Sequence, residues 1–204
     1  MRGVFIDVET GGLDPKVHAL TQIAAIAFET EPGAAKPQIL DVYQEIVKPD
    51  KWLAMSEGAL SMQNRTMSVV LEAGNEEAEV YRNLVCFLEK HIGPADQWGG
   101  RIWAQDASFD HSFCRALEMR VGQGVNYFSD RCDWNCTKRT WTMLRGLGVH
   151  NEPKTSLKNI IAYYGIRGED EQTHDAADDA TVSLIALNMM LADLFKFFRP
   201  MGGV

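Results

Sequence analysis

The order of apolar and polar positions divides the chain into a strand-rich first part and a helix-rich remainder. Residues 2–9 form an apolar, β-branched run that ends in acids, and Leu20 to Phe28 is nearly all apolar, as expected of a central strand buried on both faces. Gly11-Gly12-Leu13-Asp14-Pro15 between them signals a turn. Leu40, Val42 and Ile46 alternate with Asp41, Tyr43 and Glu45, which suits a strand with one covered face. Residues 52–73 suggest one or two short helices. Asn75 can then cap a helix with Val80, Leu84, Phe87 and Leu88 on one face, ended by Gly93-Pro94. Arg101-Ile102-Trp103-Ala104 reads as a short strand leading, through Asp106 or Ser108 as cap, into a helix with Phe109, Phe113, Ala116 and Leu117 at helical spacing. A strand near 125–128 and helices near 134–145, 155–164 and 174–195 complete an α/β chain with a mixed sheet.

Composition changes this picture only by exclusion. With 204 residues, 46% hydrophobic and 24% charged, 17 Gly and 7 Pro, the chain has the make-up of an ordinary globular protein. No repeat or Pro/Gly-rich linker breaks it, so residues 1–204 are expected to form a single domain. No signal-peptide pattern and no apolar run near 18 residues is read, so the expectation is a cytoplasmic chain without membrane attachment. A net charge of −8 argues against broad electrostatic adhesion to nucleic acid, so a polyanionic substrate would be held locally. Cys86, Cys114, Cys132 and Cys136 lack paired C-x-x-C spacing and read as reduced thiols, which argues against zinc.

The candidate chemistry lies in acids. Asp7 and Glu9, two apart on a strand, place both carboxylates on one face beside a Gly-rich turn that lets a phosphate or sugar approach the backbone. Asp110 stands one turn into a helix that follows a strand; acids there also serve merely to complement the helix dipole. His174, Asp175, Asp178 and Asp179 open the last helix. His174 and Asp179 lie about 140° apart around a helix and can share a site only if His174 sits at or before the first turn. Asp175 and Asp179 fall on one face at i,i+4. Convergent carboxylates need counter-charge, and oxygen donors without Cys favour Mg²⁺ or Mn²⁺.

Asp7-Val8-Glu9-Thr10-Gly11-Gly12-Leu13, Ala107-Ser108-Phe109-Asp110 and His174-x-Ala176-x-x-Asp179 together resemble, in order, the three motifs of the DnaQ-like 3′–5′ exonucleases of the DEDDh branch. Ser156-Leu157-Lys158-Asn159-Ile160 to Gly165-Ile166 resembles the helix and turn before the third motif. The resemblance implies a ribonuclease H-like fold with a five-stranded mixed sheet flanked by helices. It implies that Asp7, Glu9, Asp110 and Asp179 hold two Mg²⁺ or Mn²⁺, with His174 as general base. It further implies that Thr10, Gly12, Leu13, Ser108 and Phe109 contact the 3′-terminal nucleotide, Leu13 against a base. The histidine spacing selects Asp179 over Asp178. Asp106 departs from the Asn of many relatives, and the 131–145 segment is similar to phage-type exodeoxyribonucleases and short bacterial exoribonucleases. The implied partner is single-stranded DNA or RNA with a free 3′ end, and many compact relatives are homodimers.

The implied activity is metal-dependent removal of nucleoside 5′-monophosphates from a 3′ end, on DNA or in an exoribonuclease specialised for short RNA. Two rivals are an aspartyl-phosphate phosphatase, which would want a second Asp where Glu9 stands, and a catalytically silent nucleic-acid-binding module. Trp134, Lys138, Arg139 and Trp141 offer aromatic and cationic groups to a strand, although tryptophans at helical spacing more commonly build core. His18, His91, His111 and His150 lack ligand partners at metal spacing.

Overall fold

In the computed structural model, residues 1–31, 34–94, 96, 99–122, 127–128, 133–166 and 174–198 are described. The first three strands, β1 (Arg2–Thr10), β2 (Leu20–Glu29) and β3 (Gln38–Lys48), form an antiparallel meander. Short parallel strands extend it on both sides: β4 (Asn75–Glu76) on β3, and β5 (Ile102–Ala104) then β6 (Asn135–Cys136) beyond β1. The order is β4-β3-β2-β1-β5-β6, a six-stranded mixed sheet in place of the expected five. The sequence does not announce β4 and β6, because each is two residues long and leads directly into a helix. Asn75 thus pairs with Val47 instead of capping, and the helix expected from Trp134 begins only at Thr137. Of the strand expected near 125–128, residues 125–126 lie outside the described residues, and Tyr127 and Phe128 form a turn.

β2 is buried from Leu20 through Phe28 because helices cover both faces of the sheet. On one side α3 (Glu77–Ile92) and α4 (Ala107–Val121) bring Val80, Leu84, Leu88, Phe113 and Leu117 onto Val4, Ile6, Ile23 and Ala25. On the other, Ala180, Leu184 and Leu187 of α7 (Ala176–Phe198) meet Phe5, Ile26, Phe28 and Trp103. The β3 alternation is inverted relative to expectation. Asp41, Tyr43 and Glu45 face α3, where their polar tips pair with Lys90 and His91, the Val80 carbonyl and Asn83. Val42 is half exposed. A register shift at Ala27/Phe28 carries Leu40 back to the α3 side.

The 52–73 segment holds two short helices, α1 (Glu57–Met62), capped by the Ser56 hydroxyl, and α2 (Met67–Ala73), capped by Thr66. In α5 (Thr137–Gly146) Trp141 is fully buried and stacks on His150 at 3.6 Å. Trp141 is therefore core, with Leu144, Ile160 of α6 (Leu157–Tyr164) and Met190. Cys86 and Cys136 are free thiols, as expected, whereas Cys132 lies outside the described residues. Contrary to expectation, α7 is long and apolar enough to cross a membrane by composition. Ala180, Leu184 and Leu187 pack on the sheet and Ala186 and Met190 on α5 and α6, while Phe195, Phe197 and Phe198 are exposed.

Candidate active site

The site grows from a gap in the sheet. β5 pairs with β1 only at Val4 and Phe5, and the chain then turns into α4, leaving the far edge of β1 open. Asp110, one turn into α4 and 3% exposed, fills that gap, and the Val8 amide donates to its carboxylate. Asp7 and Glu9 alternate with buried Val8 and lie on the face toward α7, as does Phe5 before them. Asp179, 4% exposed, comes from the first turn of α7.

His174 has the backbone the spacing demanded. It precedes α7 with a left-handed φ of 50°, outside the helical ladder that begins with the Asp179 amide donating to the Asp175 carbonyl. Ligand atoms of Glu9, His174 and Asp179 all lie within 4.8 Å of one another. Burial raises the Asp7 carboxyl well above its ordinary value, and Asp110, Glu9 and Asp179 raise it further. Burial likewise pushes Glu9 up to about 8, with Asp179 adding to the shift and the Arg65 guanidinium opposing it. Asp110 is pushed up to about 8 by burial, against the Val8 amide, with Asp106 adding repulsion. Glu9, His174 and Asp179 thus meet at one centre, with Asp7 and Asp110 near enough to raise the neighbouring carboxyls, and these acids suit hard divalent cations.

The groups expected to touch substrate are arranged less uniformly. The Thr10 hydroxyl donates to the Gly12 carbonyl at 2.7 Å, folding the loop after Glu9, and Leu13 projects from it 83% exposed. Gly12 lies under the His18 imidazole so closely that a Cβ would stand 2.2 Å from His18 Cδ2. The Asp14 amide donates to His18 Nδ1 at 3.1 Å, which holds that ring in place. Phe109 is half-buried against Phe113. Ser108 is exposed, and its hydroxyl donates to Asp106 instead of standing free. Burial opposes ionisation of Asp106, but hydrogen bonds from Lys138 and Ser108 outweigh it and hold the carboxyl below its ordinary range. The extra negative charge is therefore answered within the protein by Lys138 at 2.7 Å.

Sequence reasoning missed the polar frame around His174. The Asp175 charge adds to the shifts of Asp7 and Glu9, and its carboxylate accepts from Gln22, Gln44 and Arg65 and from the Asp178 amide. Gln63 extends the frame by donating to the Thr10 carbonyl and accepting from the Thr21 hydroxyl. The available signal was Gln22, an amide beside Thr21 in a buried and mostly apolar strand, since such a group needs partners.

Comparison with known proteins places this geometry. DNA polymerase III PolC-type of Thermotoga maritima is 27% identical over 180 residues, which cover 88% of this chain and 11% of that protein. The chain thus spans about a tenth of the length of that polymerase. Ribonuclease T of Salmonella typhimurium is 25% identical over 201 residues, covering 98% of this chain and 87% of that one. Among solved structures, the zinc-bound form of the E. coli exonuclease I–single-stranded DNA complex superposes with a TM-score of 0.71 at 20% identity, covering 95% of this chain and 42% of that one. The RNase_T family model, described as Exonuclease, matches residues 4–187, from the first strand well into α7, and the chain belongs to that family, the DnaQ-like 3′–5′ exonucleases.

Proposed function

We propose that the chain is a single-domain, divalent-metal-dependent 3′–5′ exonuclease that releases nucleoside 5′-monophosphates from single-stranded DNA or RNA. The observation that carries this reading is the convergence of Glu9, His174 and Asp179 within 4.8 Å, beside half-buried Asp7 and buried Asp110. Asp7, Glu9, Asp110 and Asp179 are the groups that would hold two Mg²⁺ or Mn²⁺. When bound, such ions make water a better nucleophile and offset charge on the phosphoryl group and on the leaving oxygen.

The chain's own residues supply the rest. His174 accepts the proton of the attacking water as its oxygen bonds to phosphorus and the bond to the 3′-oxygen of the preceding nucleotide breaks. Standing before the helix, its imidazole reaches Glu9 and Asp179 without being tied into the α7 ladder. Leu13, exposed beside the acids, packs against the terminal base, and the Thr10–Gly12 hydrogen bond sets its direction. Gly12, pressed under the His18 ring, fixes the loop that carries Leu13, and the half-buried Phe109 ring with Ser108 lines the same pocket.

Single-stranded DNA and RNA oligomers of matched sequence, labelled at the 5′ end, test the reading with Mg²⁺, with Mn²⁺ and with EDTA. The expected products are a ladder shortening from the 3′ end and 5′-mononucleotides, in the metal lanes alone. Comparison of the two sugars reads the substrate preference. His174→Ala is expected to keep Mn²⁺ binding and lose about 10²–10⁴-fold in turnover. Internal cleavage, undiminished activity in EDTA, or a His174→Ala rate near that of the parent would overturn it.

A further inference from the structure

A left-handed residue two positions before a helix has no hydrogen-bond ladder of its own to hold it, so the orientation of His174 depends on how Asp175 and Ala176 are anchored. One side chain grips both of these residues. Gln22 on β2, directly opposite Glu9 in the sheet register, donates Nε2 to Asp175 Oδ2 at 3.0 Å and accepts the Ala176 amide on Oε1 at 3.1 Å. Arg65, from the turn between α1 and α2, bridges Gln22 and Asp175. Its Nη1 donates to Gln22 Oε1 at 2.8 Å and its Nη2 to Asp175 Oδ2 at 3.2 Å. Gln44 Nε2 donates to both Asp175 oxygens at 2.9 Å. The guanidinium is largely buried, its side chain 12% exposed, so water competes weakly for these bonds.

We propose that Arg65 and Gln22 are positioning residues that clamp Asp175 and the Ala176 amide, and thereby aim the His174 imidazole at Glu9 and Asp179. The clamp rests on the reading of His174 as the general base. It also explains why Asp175 is acidic beside Asp178 and Asp179: its charge answers Arg65. Gln22 does two jobs through one amide group, because its neighbour across the strand pair is a site acid and its reach extends to the start of α7.

A double-mutant cycle tests this. Arg65→Met and Arg65→Lys are made in the full chain and in the His174→Ala chain, with kcat, KM for a labelled oligomer and Mn²⁺ affinity measured. Arg65→Met is expected to lower kcat 10- to 100-fold in the parent, with KM changed less than 3-fold and Mn²⁺ binding not weakened. Arg65→Lys, which keeps the charge and one of the two bonds, recovers part of the loss. In the His174→Ala chain either substitution is expected to change the residual rate less than 2-fold, and Asp175→Asn should behave as Arg65→Met does in both backgrounds. Equal losses with and without His174 would overturn the clamp as a positioning device and leave it structural. An unchanged kcat in the parent background would also overturn it while the base assignment stood. If His174→Ala itself retains the parent rate, the base assignment fails and the clamp proposal falls with it.

Discussion

Removing the charge of Glu9 should stabilise the metal-free protein while destroying its metal chemistry. In the folded chain this carboxyl is raised from 4.5 to about 8, by burial first and by Asp179 second. A folded-state value above the unfolded one gives stability that is complete below pH 4.5 and is lost as pH rises toward about 8. By pH 7 the unfolded chain has gained the free energy of ionisation and the folded chain has not, roughly 3 kcal/mol at ~1.4 kcal/mol per pH unit. Asp7 and Asp110 are raised too and add in the same direction. Thermal unfolding followed by circular dichroism in EDTA at pH 5, 7 and 8 reads this directly. The parent is expected to lose stability across that range, and Glu9→Gln to lose less and to melt about 6–12 °C higher at pH 7, since 1 kcal/mol moves Tm by about 2–4 °C at this size. Mn²⁺ should raise the parent Tm at pH 8 and shift the variant far less. A Glu9→Gln protein that melts lower than the parent in EDTA at pH 7, or a parent whose Tm rises from pH 5 to 8, would refute the picture of carboxyls raised by burial and by one another.

Three further outcomes are expected. Gly12→Ala drives a methyl into the His18 ring and should raise KM for oligomers several-fold; adding His18→Ala removes the obstructing ring and should recover most of the loss, and steady-state kinetics on the single and double variants decides it. Leu13→Ala, at a residue 83% exposed, should leave Tm within about 1 °C and raise KM, so a lowered Tm with unchanged KM would count against a base-packing role. Trp141→Ala removes a fully buried ring stacked on His150 and should cost about 3–5 kcal/mol in urea unfolding, with kcat per folded molecule unchanged; lost oligomer binding at full stability would return Trp141 to the role of a stacking platform.

The sequence carried the acids further than the sheet that holds them. Asp7, Glu9, Asp110, His174 and Asp179 stood out as acids and a histidine near strand ends and helix starts, and the resemblance to the exonuclease motifs gathered them into one set. The 140° offset between His174 and Asp179 required His174 at or before the first turn, and it lies before α7 with a φ of 50°. The edges of the sheet were beyond reach. Two-residue strands have no periodicity to read, so β4 and β6 were absorbed into neighbouring helices. The β3 faces were misread for another reason: hydrophobicity alone ranks Val42 above Tyr43. Yet the covered face took the residues whose polar tips found partners on α3. The Arg65–Gln22–Asp175 frame joins positions up to 153 apart in sequence, and only the folded chain brings those partners together.

The short length of β5 explains why the acids gather where they do. Three residues long, it pairs with β1 at Val4 and Phe5 and then yields to α4, so that the Val8 amide has no strand partner on that side. A buried amide must find an acceptor, and the Asp110 carboxylate supplies it. That bond draws the second acidic element against the strand carrying Asp7 and Glu9, while α7, seated by Ala180 and Leu184 on Phe5 and Ile26, delivers Asp179 from the other side. Extending β5 by two residues would give Val8 a strand partner and push α4 away. The acids would then be held apart, although every one of them remained in the sequence.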